Sequence, residues 1–187
     1  MSQKKLVGFV GSFSRPSRSR TLVETAAAHA ADRFGVDSSI YDITDLGQSF
    51  GNARSLKDLD QDARKIFDAI AEADVLVVGT PTYKGSYTGL FKHAIDLIDP
   101  ITLAGKPVIL TATGGGDRHA LIVEHQLRPL FGFFQAHSLP SAIYASDRDF
   151  ADGRLVNDII RSRVAQTVAE LAPFLPGHSS PVSIAAE

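Results

Sequence analysis

The sequence predicts an α/β fold: a parallel sheet with helices on both faces. Three observations carry that prediction. Short apolar runs alternate with amphipathic stretches along the whole chain. The longest uninterrupted apolar runs are four or five residues, such as Val75-Leu76-Val77-Val78. The segments between the runs carry apolar residues at helical spacing. Strands that alternate with helices in this way are joined by crossovers, and crossovers produce a parallel sheet covered on both sides.

The elements follow in order. Residues 5–12 read as a buried strand, and the polar segment 13–20 leads into a helix over 21–34, with Leu22, Ala26, Ala30 and Phe34 on one face and Gly35 placed to stop it. Residues 36–43 form the second strand and 44–52 a loop. Residues 58–73 place Leu59, Ala63, Ile66, Ile70 and Ala73 on one helical face. The run 75–79 is the third strand, 80–87 a loop, and 88–98 a helix closed by Asp99-Pro100. Residues 106–113 form the fourth strand, 114–116 a glycine turn, 119–135 the fourth helix, 141–146 the fifth strand and 155–175 the last helix. Residues 1–175 are expected to form one domain, and 176–187, rich in Pro, Ser and Ala, a flexible tail.

Composition bounds the function. At ~150 residues per domain, 187 residues suggest one domain. Lys and Arg total 19 against 21 Asp and Glu, so a general nucleic-acid binder is not expected. No run approaches the ~20 apolar residues of a membrane span. The N-terminus makes a poor signal peptide, so the expected location is the cytoplasm. There is no cysteine, which removes disulfides, thiolate metal sites and thiol catalysis. Redox chemistry would need a cofactor held without sulfur.

In a sheet of this kind ligands bind beyond the carboxyl ends of the strands, at the topological switch point. Three loops leave those ends. The first, Gly11 to Thr21, holds four serines, Arg15, Arg18 and Arg20, and leads into a helix N-terminus. Hydroxyls, guanidiniums and unpaired helix N–H groups together suit a phosphate. The first 23 residues hold five basic residues and no acid, which fits the same purpose. A P-loop lysine is missing, and after Gly11 the next glycine is Gly35, so neither the nucleotide P-loop nor the dinucleotide fingerprint is present. The second loop, Thr80 to Gly89, pairs Pro81 and Gly85 with Tyr83 and Tyr87, a stiff edge for a flat ring. The third, Ala112 to His119, contains Gly114-Gly115-Gly116, which admits close backbone approach. A G-x-S-x-G elbow and an H-E-x-x-H motif are both missing, and no metal site is expected.

These loops, taken in order, resemble the NAD(P)H-dependent FMN reductases of the flavodoxin-like superfamily, and most of all the reductase components of alkanesulfonate and methanesulfonate monooxygenase systems. The resemblance rests on Gly-Ser-x4-Ser-Arg-Ser at 11–19, Thr-Pro-Thr-Tyr-Lys-Gly-Ser-Tyr-Thr-Gly at 80–89, Ala-Thr-Gly-Gly at 112–115, His119 and Leu127-Arg128-Pro129. It implies a three-layer flavodoxin-like sandwich with five parallel strands in the order 2-1-3-4-5. It implies that Ser12, Ser17, Arg18, Ser19 and Thr21 hold the FMN phosphate. Pro81, Thr82, Tyr83 and Lys84 would lie along the isoalloxazine and ribityl, and Thr113, Gly114 and Gly115 would reach the pyrimidine edge. Ser14 stands where the wider family often has Arg, and Arg15 or Arg20 is a candidate replacement. NADPH or NADH would be the hydride donor, with Arg118 or Arg15 the candidates for a 2′-phosphate. The partner implied is an FMNH2-dependent monooxygenase, with no nucleic acid and no membrane. No catalytic acid or base is assigned.

The fourth helix carries one further expectation. Pro129 has no N–H to offer the His125 carbonyl, so a kink or π-bulge is expected there. The resemblance makes His125 an interface and flavin-release residue. The Phe-rich segment Leu127–Phe134 suggests a dimer or tetramer. Two alternatives stay open: a quinone or azo reductase that retains FMN, and an electron-carrying flavodoxin.

Overall fold

A computed structural model describes residues 3–175. The expected tail at 176–187 lies outside the described residues. Strands β1 (Lys5–Val10), β2 (Asp37–Asp42), β3 (Val75–Pro81) and β4 (Pro107–Gly114) run parallel in the order β2-β1-β3-β4. The fifth position is shared by two short strands, β5 (His137–Ser138) and β6 (Ile143–Ser146), each parallel to β4. Sequence reading expected one strand over 141–146. The break has a physical cause: Pro140 lies between the two pieces and has no N–H to give a ladder. A small antiparallel hairpin, β7 (Phe150–Ala151) and β8 (Arg154–Leu155), was not anticipated.

Period-2 alternation divides the core. Val7, Phe9, Leu76, Val78, Val108 and Leu110 face helices α2 (Gln61–Glu72), α3 (Gly89–Asp96) and α4 (Arg128–Phe133). Leu6, Val10, Val75, Val77 and Ile109 face α1 (Arg18–Phe34) and α5 (Asp158–Ala169). Every helix but α4, which continues from the turn before it, begins where a side chain caps it: Ser17 accepts from Arg20 N, Asp60 from Asp62 N and Ala63 N, Thr88 from Phe91 N, and Asn157 from Ile159 N and Ile160 N. Helix α1 therefore starts at Arg18 rather than Thr21, and α5 ends at Ala169 rather than 175. At two glycines α1 sits unusually close to the sheet. A Cβ added to Gly8 would lie 2.6 Å from Val23 Cγ1, and one added to Gly79 would lie 2.5 Å from Val23 Cγ2. Together they form a socket for Val23.

The fourth helix is not uniform. A π-helical turn, Val123–Leu127, precedes α4, and Arg128 N donates five residues back to Val123 O. This is the irregularity expected from Pro129, which follows directly.

Candidate functional site

The chain leaves β1 toward β2 on one side and later returns to β3 on the other. The carboxyl ends of β1 and β3 therefore diverge and open a cleft. The cleft measures about 480 Å³ and is lined by Ser12, Ser14, Pro16, Ser17, Arg18, Ser19 and Thr21 from the first loop and α1. Pro81, Thr82 and Tyr83 line it from the second loop, and Thr113, Gly114 and Gly115 from the third. Asp147 and Gly153 complete the wall. Eleven of the twelve residues singled out in the sequence thus meet at one cleft. Lys84 stands apart. It occupies the tip of a tight turn in which Tyr83 and Ser86 exchange backbone hydrogen bonds, with φ of 54° at Lys84 and 82° at Gly85, and its side chain is exposed.

Hydrogen bonds brace the loops against one another. Ser19 Oγ and Thr113 Oγ1 lie 2.7 Å apart, and both residues are buried. Thr82 donates to Thr113 O from both its N–H, at 2.7 Å, and its hydroxyl, at 2.9 Å. Thr88 Oγ1 donates to Gly11 O at 2.7 Å, and Tyr144 Oη to Gly116 O at 2.7 Å. Ser86 Oγ donates to Gln126 Oε1 at 3.1 Å, which ties the second loop to the π-turn.

The arginines divide their roles in a way the sequence does not show. Arg15 Nε and Nη2 each donate at 3.0 Å to Asp42, and Nη2 also reaches Asp45 at 2.7 Å. Arg20 Nη1 donates to the same Asp42 at 2.7 Å, and its Nε to Glu24 at 2.8 Å. Neither arginine lines the cleft, so neither stands in for an Arg at Ser14. The acid-free opening stretch supplies the cleft with one cation, Arg18, which pairs with Asp147 at 3.1 Å. Burial favours the neutral form of Asp42, but hydrogen bonds from Thr44, Arg20 and Arg15 outweigh it and hold the carboxyl below its usual range. Tyr144 is shifted upward, first by burial and then by Asp117, Asp147 and Asp149.

Ser14, Pro16, Asp147 and Gly153 were not chosen from the sequence as site residues. For Gly153 a signal existed. Asp152-Gly153 is a hairpin dipeptide, and both residues adopt positive φ, 48° and 73°. The hairpin docks on α1, where Thr21 Oγ1 donates to Gly153 O at 3.0 Å. Arg118 is exposed on the turn Asp117–His119 beside the third loop and does not line the cleft. His125 is exposed on the π-turn. Among the described residues no cluster of three or more His, Asp or Glu could hold a metal, and no helix is long and apolar enough to cross a membrane.

A doubly wound sheet whose switch point carries a helix N-terminus, hydroxyls and a guanidinium at one end of a cleft, and a proline–tyrosine edge with a glycine turn at the other, is the architecture of flavodoxin-like oxidoreductases. Residues 4–151 match the family described as NADPH-dependent FMN reductase. The chain belongs to this family. An FMN reductase (NADPH) of Pseudomonas aeruginosa is 40% identical over 181 residues, covering 97% of each chain. The NADH-dependent FMN reductase SfnF of Pseudomonas fluorescens is 39% identical over 178 residues, 95% of each. Among solved structures, an oxidoreductase from Corynebacterium diphtheriae matches with a TM-score of 0.83 at 28% identity, over 92% of this chain and 97% of that one. The apo form of the NADH:FMN oxidoreductase EMOB matches with a TM-score of 0.77 at 30% identity, over 97% and 93%.

Proposed function

We propose that this FMN reductase binds FMN reversibly in the cleft and works beside a monooxygenase of a sulfonate-oxidising system in the cytoplasm, where NAD(P)H is available. The observation that carries the reading is the polarity of the cleft. At one end lie Ser12, Ser17, Arg18, Ser19, Thr21 and the N-terminus of α1, with no acid in the first helical turn. This donor set suits a phosphate monoester. At the other end lie Pro81, Thr82, Tyr83, Thr113, Gly114 and Gly115, with Lys84 at the rim. This edge suits a flat heterocycle with a polar side. FMN when bound accepts a hydride from NAD(P)H and, reduced, passes to the monooxygenase.

The chain's own part is to bind and orient. The braced loops fix the cleft before a ligand arrives, and with the Tyr83 N–H committed to Ser86 O, backbone N–H groups near 84–85 and 114–116 are the donors offered to a developing anionic ring edge. The relatives are named for NADPH and for NADH, and the proposal takes either as donor. Self-association belongs to the same reading. Phe133 is 70% exposed and Ile101 78%, beside a groove lined by Ile95, Ile98, Leu130, Phe133 and Phe134. A second copy of the chain covers this face.

The test compares FMN with riboflavin, which lacks the phosphate. Arg18→Ala should weaken FMN by about tenfold or more, the scale of a lost hydrogen bond to a charged group, and leave riboflavin within twofold. Equal losses for both flavins would remove the phosphate assignment. Sequential steady-state kinetics with free FMN are expected. Ping-pong kinetics with FMN retained through gel filtration would replace this reading with an FMN-retaining reductase.

A further inference from the structure

We propose that Asp147 is a built-in competitor of the FMN phosphate for Arg18, and that it sets how readily the flavin leaves. The inference rests on the assignment of Arg18 to the phosphate. Asp147 begins the turn Asp147–Asp149 that follows β6, and it lines the cleft. Its carboxylate lies 3.1 Å from Arg18 Nη1, and both side chains are 53% exposed. Among the described residues, Arg18 is the one cation and Asp147 the one acid in the cleft wall. The other two arginines of the first loop, Arg15 and Arg20, are committed to Asp42, Asp45 and Glu24.

The turn that carries this carboxylate is anchored on both sides. Asp149 is buried and accepts hydrogen bonds from Ser146 N at 2.6 Å, Ser146 Oγ at 2.9 Å and Asn157 Nδ2 at 2.6 Å. On the far side, the hairpin is pinned to α1 through Thr21 and Gly153. Asp147 lies between Ser146 and Asp149, which the first of these anchors joins, and its carboxylate meets Arg18 at the start of α1.

A phosphate monoester that reaches Arg18 therefore meets an anion already there. If Asp147 stays, two anions face one guanidinium and repel. If Asp147 turns to solvent, it gives up its ion pair. Either path weakens retention of the phosphate relative to a cleft without the acid. Because both side chains are half exposed, water screens the interaction and the effect stays moderate. Riboflavin carries no phosphate and escapes the competition.

The experiment is a fluorescence titration of FMN and riboflavin with the full chain, for wild type, Asp147→Asn, Arg18→Ala and the double variant. Asp147→Asn should tighten FMN by about three- to fivefold, the upper part of the scale of an exposed ion pair, and slow its dissociation to match. Riboflavin should stay within twofold. In the Arg18→Ala background the gain should shrink. Asp147→Ser, which is polar, uncharged and smaller, serves if the Asn variant does not fold. Unchanged or weaker FMN binding in Asp147→Asn, equal tightening of both flavins, or an undiminished gain without Arg18 would each overturn the proposal. If Arg18→Ala weakens FMN selectively while Asp147→Asn does nothing, the phosphate assignment stands and only the competition falls. If Arg18→Ala fails to separate the two flavins, the assignment itself falls.

Discussion

Asp42→Asn should cost the protein about 2–3 kcal/mol of stability at neutral pH. The wild-type side chain is 2% exposed and sits at the end of β2. It accepts two hydrogen bonds from Arg15 at 3.0 Å, one from Arg20 at 2.7 Å, one from Thr44 N at 2.9 Å and one from the Thr44 hydroxyl. Breaking a buried ion pair by removing one partner costs about 3–5 kcal/mol. Two features lower that figure. Asn keeps the shape and one acceptor oxygen, and the Arg15 side chain is 52% exposed, so water recovers part of its loss. For a chain of this size about 2–4 °C of Tm accompany each kcal/mol, so the melting temperature should fall by roughly 4–12 °C. A pH series of thermal melts sharpens the test. The folded-state pKa of Asp42 is lowered, so its contribution is complete above its ordinary value of 3.8 and disappears as pH falls through the folded value. The gap between wild type and variant should therefore be constant from pH 5 to 8 and close under stronger acid. A variant that melts within 2 °C of wild type at pH 7, or a gap that widens on acidification, would refute the reasoning.

Two further changes test the description. Thr111 is fully buried, and its hydroxyl has no hydrogen-bond partner among the described residues. Thr111→Val should stabilise the protein by about 1 kcal/mol, and calorimetry should show Tm rising rather than falling. His125 is exposed on the π-turn, so His125→Ala should change stability by less than about 0.5 kcal/mol. If that variant also elutes from gel filtration as wild type does and releases FMN at the same rate, the interface and release role of His125 is wrong.

The parts that were legible in the sequence share a cause: their signal is local. The run Val75–Val78 reads as a doubly covered strand because each residue is apolar, and the structure places Leu76 and Val78 on one face and Val75 and Val77 on the other. The irregular fourth helix was legible because Pro129 lacks one particular donor. What escaped depends on partners distant in the chain. The three arginines of the first loop look equivalent until Asp42, 27 residues beyond Arg15, claims two of them. Asp147 reaches the cleft only because β6 lies beside β4, a pairing that no local pattern reports. The split of the last strand was readable at Pro140, and the hairpin at Asp152-Gly153. Both were outweighed by the apolar runs beside them.

The socket that Gly8 and Gly79 make for Val23 has a consequence for how this sequence can change over time. A methyl group at either glycine collides with a methyl group of Val23, and it meets a second neighbour as well: Ile40 at Gly8 and Thr111 at Gly79. The three positions are therefore sterically coupled. A lineage can enlarge a glycine only after Val23 has shrunk, and the intermediate it passes through carries a hole in the core. Since Val23 also fixes how deeply α1 sits on the sheet, that barrier protects the depth of the cleft against neutral drift.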